Sequence, residues 1–148
     1  MKRITVLRRS AFILFAGAIS WPALAGPDSD MLKRSGLLGR WSIDCKRPPG
    51  KANVYYAYIA SVDEFPVQTE QGYYDDETVV SQLRDVRIKS STLVEYTSVG
   101  AKSTLYITEL VEGRRRRTWS SVNKNGTVYV KDGLQNGQQT SWFEKCTP

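Results

Sequence analysis

A run of four consecutive arginines, Arg114-Arg115-Arg116-Arg117, is the feature of this sequence best suited to binding chemistry. A guanidinium carries N–H donors in a fixed plane, so it suits two-point binding of a carboxylate or phosphate. Residues two apart on a strand share a face, which predicts that Arg115, Arg117 and Trp119 lie together. If Trp119 points inward, both guanidiniums point inward toward a cavity mouth and form an anion site. If Trp119 is external, the arginines stack on it or remain solvated.

Tyrosines form the second candidate for a binding surface. Tyr56 and Tyr58 share one face of a predicted strand with Val54 and Ala60. Tyrosines with apolar neighbours are commonly core residues, and inside a barrel they would also give an amphipathic pocket lining. Both interpretations stay open from the sequence.

Catalytic and metal-binding constellations are absent from the sequence. The chain has no histidine, which excludes a Ser-His-Asp triad, Cys–His activation and His-bearing zinc sites. Neither a Walker loop nor a glycine-rich dinucleotide turn is present. Asp75, Asp76 and Glu77 are adjacent and alternate in direction, so they indicate a solvated turn, with a weak Ca²⁺ site as the alternative. We therefore expect a binding protein that is not an enzyme and has no cofactor and no metal.

Residues 1–25 have the pattern of a secretory signal peptide. Basic residues precede an apolar run from Ala11 to Ile19, and Ala23-Leu24-Ala25 supplies a small-x-small cleavage site. The apolar run is too short to cross about 30 Å of hydrocarbon. We expect cleavage after Ala25 and a periplasmic or secreted bacterial protein without stable membrane insertion. The general and twin-arginine export routes both remain open.

The basic character of the chain belongs mostly to this leader. The full chain has 21 Lys and Arg against 15 Asp and Glu. The leader holds four of the basic residues and no acidic one, so the mature chain carries 17 against 15, a net charge of +2. A domain this balanced has little long-range attraction for phosphate, so a nucleic-acid partner is not expected.

The two cysteines, Cys45 and Cys146, predict a disulfide. In an oxidising compartment an even number of cysteines favours pairing, and two cysteines allow only one intramolecular pair. A bond between them would close a loop of about 100 residues, which is worth about 4–5 kcal/mol in the chain-entropy model.

The remaining pattern predicts an all-β domain over residues 39–148, after a lead-in segment over residues 26–38. Alternating apolar residues and Gly-containing turns give eight or nine short strands. Asp30 is expected to cap a short lead-in helix that Gly36 ends. Because the cysteines lie in the first and last strands, an antiparallel up-and-down barrel that closes on itself is favoured, with a Greek-key sandwich as the alternative.

The segment Gly39-Arg40-Trp41, which opens the first strand after the lead-in helix, resembles the G-x-W signature of lipocalin and calycin barrels. The resemblance implies structural roles for Gly39 and Trp41, with the Trp packed across one end of the barrel and the other end open to ligands. Lys145 stands where lipocalins usually supply an arginine that covers the Trp. Residues 37–45, 117–122 and 142–146 are also similar to uncharacterised exported proteins of rhizobium-type bacteria, which bring no known activity.

Two classes of function follow from this sequence. The first is a carrier or sensor of a small, partly apolar anion, with Tyr56, Tyr58 and Trp119 against the apolar part and Arg115 and Arg117 on the anion. The second is a protein-binding module, such as a periplasmic inhibitor of a protease or lysozyme, that uses loop 46–51 or 75–77. An open cavity with inward arginines would favour the first class; a filled core with an ordered projecting loop would favour the second.

Overall fold

The structure is a computed structural model that describes residues 26–61, 65–73, 77–100, 102–122 and 125–147. The predicted signal peptide therefore lies outside the described residues, as do Asp75 and Asp76 of the predicted acidic turn. The described residues form one helix and eleven strands: α1 Pro27–Arg34, β1 Gly39–Ser42, β2 Tyr55–Ile59, β3 Val67–Gln71, β4 Thr78–Ile88, β5 Leu93–Val99, β6 Thr104–Val111, β7 Arg114–Val122, β8 Val128–Val130, β9 Leu134–Gln135, β10 Gln138–Gln139 and β11 Phe143–Cys146.

Eight strands close into an antiparallel barrel. Strands β1 to β7 each pair with their neighbour in the chain, and β11 pairs with both β1 and β7. Strand β8 adds to the part of β7 that β11 does not reach, and β9 and β10 form a separate hairpin. The predicted all-β fold and the closure through the first and last strands are confirmed.

Tight turns between strands follow from residues that accept a positive φ. Glu112 and Gly113, between β6 and β7, have φ of 49° and 73°, and Asn136 and Gly137, between β9 and β10, have φ of 52° and 79°. Two successive positive φ values give the turn that matches the twist of a hairpin. At these two positions the turn residues themselves therefore place β7 beside β6 and β10 beside β9.

The helix α1 covers one end of the barrel. It begins at Pro27 rather than after Asp30, because proline lacks the N–H that the first helical turn leaves unpaired and its φ already suits a helix. The Asp28 carboxylate accepts a hydrogen bond from the backbone N–H of Val86 on β4, at 2.9 Å. Leu32 is fully buried against the barrel core.

Trp41 lies at the end of the barrel that α1 covers. Its indole N–H donates to the carbonyl oxygen of Leu37 at 2.8 Å, and its side chain is buried. The Nζ of Lys145 lies 5.4 Å from the centre of the Trp41 ring and donates to the carbonyl oxygen of Gly36. Lys145 thus covers the tryptophan from the last strand.

The predicted disulfide between Cys45 and Cys146 is present, with a Cα–Cα distance of 5.5 Å. Cys45 follows β1 and Cys146 ends β11, so the bond ties together the two strands whose pairing closes the barrel.

Candidate functional site

A bulge in β7 decides which of its side chains enter the barrel. Ile107 of β6 pairs with Trp119, but the next residue, Thr108, pairs with Arg117, so Thr118 is an extra residue in β7. Paired residues of neighbouring strands share a face, and each bulge reverses the alternation beyond it. Thr108 is fully buried in the barrel interior, so Arg117 points inward and Trp119 points outward.

The expectation that Trp119 shares a face with Arg115 and Arg117 is therefore wrong. Trp119 is half-buried on the outer face, where its indole N–H donates to the Ser121 hydroxyl at 3.3 Å. The two arginines nevertheless point inward. Both alternatives in the sequence analysis assumed that the arginines and Trp119 point the same way, so neither described this arrangement. The bulge at Thr118 cannot be predicted from the alternation of residues in the sequence, because threonine is an ordinary strand residue.

Arg115 is almost entirely buried, with 1% of its surface exposed. Its guanidinium carbon lies 4.5 Å from the ring centre of Tyr56, 5.2 Å from that of Tyr58 and 4.6 Å from that of Phe143. The electron-rich faces of aromatic rings attract a cation, and more strongly where water is excluded. These three rings hold Arg115 in place without neutralising its charge.

Arg117 lies beside Arg115 in the barrel interior. Its guanidinium carbon is 4.3 Å from the ring centre of Tyr106. Burial by itself lowers the pKa of Arg117, but the nearby phenol groups, Tyr56 and Tyr106 foremost, raise it above its usual value. Arg117 therefore carries a positive charge at physiological pH.

The two inward guanidiniums have unpaired donors. The Nε and Nη2 of Arg115 and the Nε of Arg117 are buried and have no hydrogen-bond partner among the described residues. No carboxylate in the described part of the chain lies within ion-pair distance of either guanidinium. Buried charges are normally paired, because removing a charge from water is costly. Among the described residues this pair therefore has no carboxylate in direct contact, and Glu70 acts on it only from beyond ion-pair distance.

A cavity of about 140 Å³, which we call the arginine cavity, adjoins these side chains. Its wall includes Tyr56, Phe143, Arg115, Arg117, Thr140 and Ser141. Residues Thr140 and Ser141 lead into β11 at the end of the barrel opposite α1. The cavity thus combines two cations with hydroxyl groups and aromatic carbon.

Of the residues predicted for the ligand site, the structure brings Tyr56, Arg115 and Arg117 to one cavity. Tyr58 lies behind Arg115, and its hydroxyl is hydrogen-bonded to that of Tyr96 at 2.8 Å, so it supports the site without lining it. The sequence does not single out Phe143, although alternation along β11 places it on the same face as Lys145.

The tyrosines around the site keep their phenol protons. Burial raises the pKa of Tyr56 and Tyr106, although the neighbouring arginines act in the opposite direction. Burial also raises the pKa of Tyr58, well above its usual value. Each phenol is therefore neutral near neutral pH and can donate its O–H.

A second cavity of about 340 Å³, which we call the mouth cavity, lies at the open end of the barrel. Its wall includes Gln68, Glu70, Ser81, Ser98, Thr104 and Tyr106. Glu70 is the cross-strand partner of Tyr56, so the two cavities adjoin. Burial raises the pKa of Glu70, while Arg117 and Arg115 lower it, and the net shift is upward.

The outward arginines of β7 have partners of their own. Arg116 donates to the Glu109 carboxylate at 2.7 Å. The guanidinium carbons of Arg114 and Arg116 lie 5.3 Å and 4.7 Å from the Trp142 ring centre. The outer pair thus has one ion pair, at Arg116, and lies toward solvent, whereas the inner pair is buried without a carboxylate in direct contact.

Loop 46–51, the candidate for contacts with a protein partner, is held by buried side chains. The Asn53 amide donates to the carbonyl oxygens of Asp44, Arg47 and Pro48 at 3.0, 3.0 and 3.2 Å. The Tyr55 hydroxyl lies 2.7 Å from the carbonyl oxygen of Arg47. The exposed residues of this loop are thus presented on an ordered backbone.

Comparisons of the chain with protein-family models, with curated proteins and with solved structures found no match. The class of protein is thus defined by its own structure as a small, disulfide-bonded, closed antiparallel barrel, in which the arginine cavity and the mouth cavity lie among the described residues. Within the described ranges, no helix is long and apolar enough to cross a membrane. The same residues contain no group of three or more Cys, Asp or Glu side chains placed to hold a metal ion.

Proposed function

We propose that this protein binds a small, partly apolar anion in the arginine cavity and acts as a carrier or sensor of that molecule. The observation that supports this proposal is the pair of inward guanidiniums, Arg115 and Arg117, which have buried donors without partners. An anion supplies both the missing charge and the missing acceptors. Tyr56 and Phe143 would contact its apolar part, and the Thr140 hydroxyl group and Ser141 lie on the same wall.

The size of the arginine cavity limits the ligand. Its volume of about 140 Å³ is close to that of an engineered cavity of about 150 Å³ that holds benzene. A benzoate-like acid or a short-chain carboxylate fits within this volume, whereas a long acyl chain would extend out through the open side of the cavity. Inorganic phosphate or sulfate would satisfy the charges but leave the aromatic wall without an apolar contact.

The barrel itself supports a lipocalin-like relationship as part of this proposal. Trp41 is buried at the end that α1 covers, Lys145 lies over its ring, and both cavities lie toward the opposite end. The position of Trp41 and the cavities at the opposite end are what the G-x-W resemblance implies, and Lys145 takes the place of the usual arginine.

The test compares inward with outward arginines of the same strand. Arg115→Gln and Arg117→Gln should abolish binding of benzoate and of any anion that co-purifies from the periplasm, detected by native mass spectrometry. Arg114→Gln and Arg116→Gln remove the same charge from the outer face and should leave binding intact. In the wild-type protein, benzoate at about 100 times its Kd should stabilise the fold by about 2.7 kcal/mol.

Two results would overturn the proposal. One is a native protein that carries no anion and gains no thermal stability from benzoate, acetate or phosphate. The other is an equal loss of binding in the inner and outer arginine variants, which would indicate a general charge effect rather than a cavity.

A protein-binding module is the second candidate, and the ordered loop 46–51 favours it. Lys46, Arg47, Pro48 and Pro49 are exposed on a backbone fixed by Asn53 and Tyr55. A rigid exposed loop binds a partner with little entropic cost of ordering. Replacement of Lys46 and Arg47 by Ala should weaken protein binding under this candidate, while anion binding in the arginine cavity is unchanged.

Export belongs to the same proposal. A disulfide that closes the barrel is compatible with an oxidising compartment. We expect the protein recovered from the periplasm or medium to begin at Gly26, and intact mass measures this directly. A mass that still includes residues 1–25 would contradict the predicted cleavage.

A further inference from the structure

The mouth cavity has a chemistry that differs from that of the arginine cavity. Ser81, Ser98 and Thr104 place hydroxyl groups on its wall, and each hydroxyl can both donate and accept a hydrogen bond. Gln68 is only 5% exposed, and its side-chain oxygen has no hydrogen-bond partner among the described residues. A buried acceptor without a donor is costly, so this oxygen is a position where a ligand donor would be favourable.

The charges around the mouth cavity argue against a charged ligand there. Glu70 lies on its wall and would repel an anion, which finds two cations in the neighbouring arginine cavity instead. Lys102 lies on the same wall, and Arg117 stacks on the Tyr106 ring that also lines it, so these positive charges offset the attraction of Glu70 for a cation. A neutral molecule avoids both effects.

We propose that the mouth cavity is a second binding site, which takes a neutral polyhydroxylated molecule of about monosaccharide size. Ligand hydroxyls would donate to the Gln68 side-chain oxygen and to Glu70, and would exchange hydrogen bonds with Ser98. A volume of about 340 Å³ lies at the lower end of the range of roughly 300–1,000 Å³ for ligand pockets. This site does not depend on the anion site, because its contacts come from other side chains.

The test is an NMR titration of the ¹⁵N-labelled mature domain with D-glucose, D-galactose and myo-inositol. In the wild-type protein, one of these compounds should shift the amide signals of Gln68, Ser98 and Thr104 in a saturable way. Gln68→Leu should weaken that binding about tenfold, the effect of losing one buried hydrogen bond of about 1.4 kcal/mol. Thr69→Ala, on the outer face of the same strand, is the matched control and should leave binding unchanged.

The folding of the variants does not limit this test. Gln68→Leu removes an unpartnered buried acceptor, so it should fold at least as stably as the wild type, and Ser98→Ala offers a second variant that removes only one hydroxyl group. Loss of sugar binding in both variants, with benzoate binding retained, supports the proposal. Saturable sugar binding in Arg115→Gln also supports it, since that variant disables only the arginine cavity.

Other results would overturn the second site. One is the absence of saturable shifts with all three compounds in the wild-type protein. Another is sugar binding that Gln68→Leu and Ser98→Ala leave at wild-type affinity. If benzoate still binds in either case, the anion site stands and only the mouth site fails. If benzoate does not bind and a sugar does, the mouth site stands and the anion site fails.

Discussion

Arg117 and Trp119 are two residues apart on β7, yet their side chains lie on opposite faces of the barrel wall. The bulge at Thr118 separates them, with Arg117 opposite the buried Thr108 and Trp119 opposite Ile107. The proposed ligand site therefore includes Arg117 and does not include Trp119. Only one of these two neighbours should affect binding of an anion.

We predict that Trp119→Ala leaves the affinity for benzoate within about twofold of the wild type, because the indole is on the outer face. Arg117→Gln should abolish detectable binding. Isothermal titration of both variants measures the difference, and circular dichroism confirms that each variant is folded. A loss of affinity in Trp119→Ala that matches the loss in Arg117→Gln would contradict the bulge at Thr118.

Glu70 should make the stability of the domain depend on pH. Burial raises the pKa of Glu70 above its usual value of 4.5, so the folded state binds its proton more tightly than the unfolded state does. Its contribution to stability is then largest below pH 4.5 and is lost as the pH rises through the raised pKa. We predict that Glu70→Gln unfolds at a higher temperature than the wild type near neutral pH.

The pH series supplies the control for Glu70→Gln. Below pH 4.5 the carboxyl is protonated in both states, and the advantage of the variant should disappear. Thermal unfolding of the two proteins across this range gives the comparison. A variant that is less stable than the wild type at neutral pH would show that attraction to the arginines outweighs the burial of the carboxylate.

Loss of the disulfide should destabilise the barrel strongly. Cys45 and Cys146 are 101 residues apart, so the bond restricts most of the unfolded chain. The chain-entropy model gives about 4.7 kcal/mol for a loop of this length. We predict that Cys45→Ser lowers the free energy of unfolding by about that amount in urea titrations. The wild type in reducing buffer should lose a similar amount, and a change below about 1 kcal/mol in both would indicate that β1–β11 pairing alone holds the closure.

Much of the fold was predictable because its signals are local. Alternating apolar residues and positive-φ turns such as Glu112-Gly113 mark the strands one by one. The predicted placement of Cys45 and Cys146 at the first and last strands favours closure, which the pairing of β11 with β1 and β7 confirms; Cys45 itself lies just after β1. The predicted helix start after Asp30 is wrong, because Pro27 in the first turn sets the start of α1.

The site was only partly predictable because it depends on contacts between distant strands. The alternation of Arg115 and Arg117 placed both on one face, but the bulge at Thr118 follows from pairing with β6. Likewise, Glu70 reaches the site only because β3 pairs with β2, opposite Tyr56. Such pairings join residues that are far apart in the sequence and decide which way their side chains point. No local sequence motif indicates them.

We expect that Lys145 of the last strand can cover the Trp41 ring only if residue 39 is glycine. Its φ is +114°, a conformation that residues with a side chain adopt only with strain. A Cβ added at Gly39 would lie 2.9 Å from the Cε of Lys145, whose ammonium group lies over the Trp41 ring. We predict that Gly39→Ala lowers the free energy of unfolding by about 1–3 kcal/mol, mostly through backbone strain.

A double-mutant cycle with Lys145→Ala separates the cost of backbone strain at Gly39 from the cost of displacing the Lys145 side chain. In the Lys145→Ala background the displaced side chain is absent, so Gly39→Ala should cost about 0.5–1 kcal/mol less than it does alone. The backbone strain remains in both backgrounds, and urea unfolding of the four proteins measures the coupling. Equal costs in the two backgrounds would mean that Lys145 moves aside freely, and a negligible cost in both would mean that β1 does not need glycine at this position.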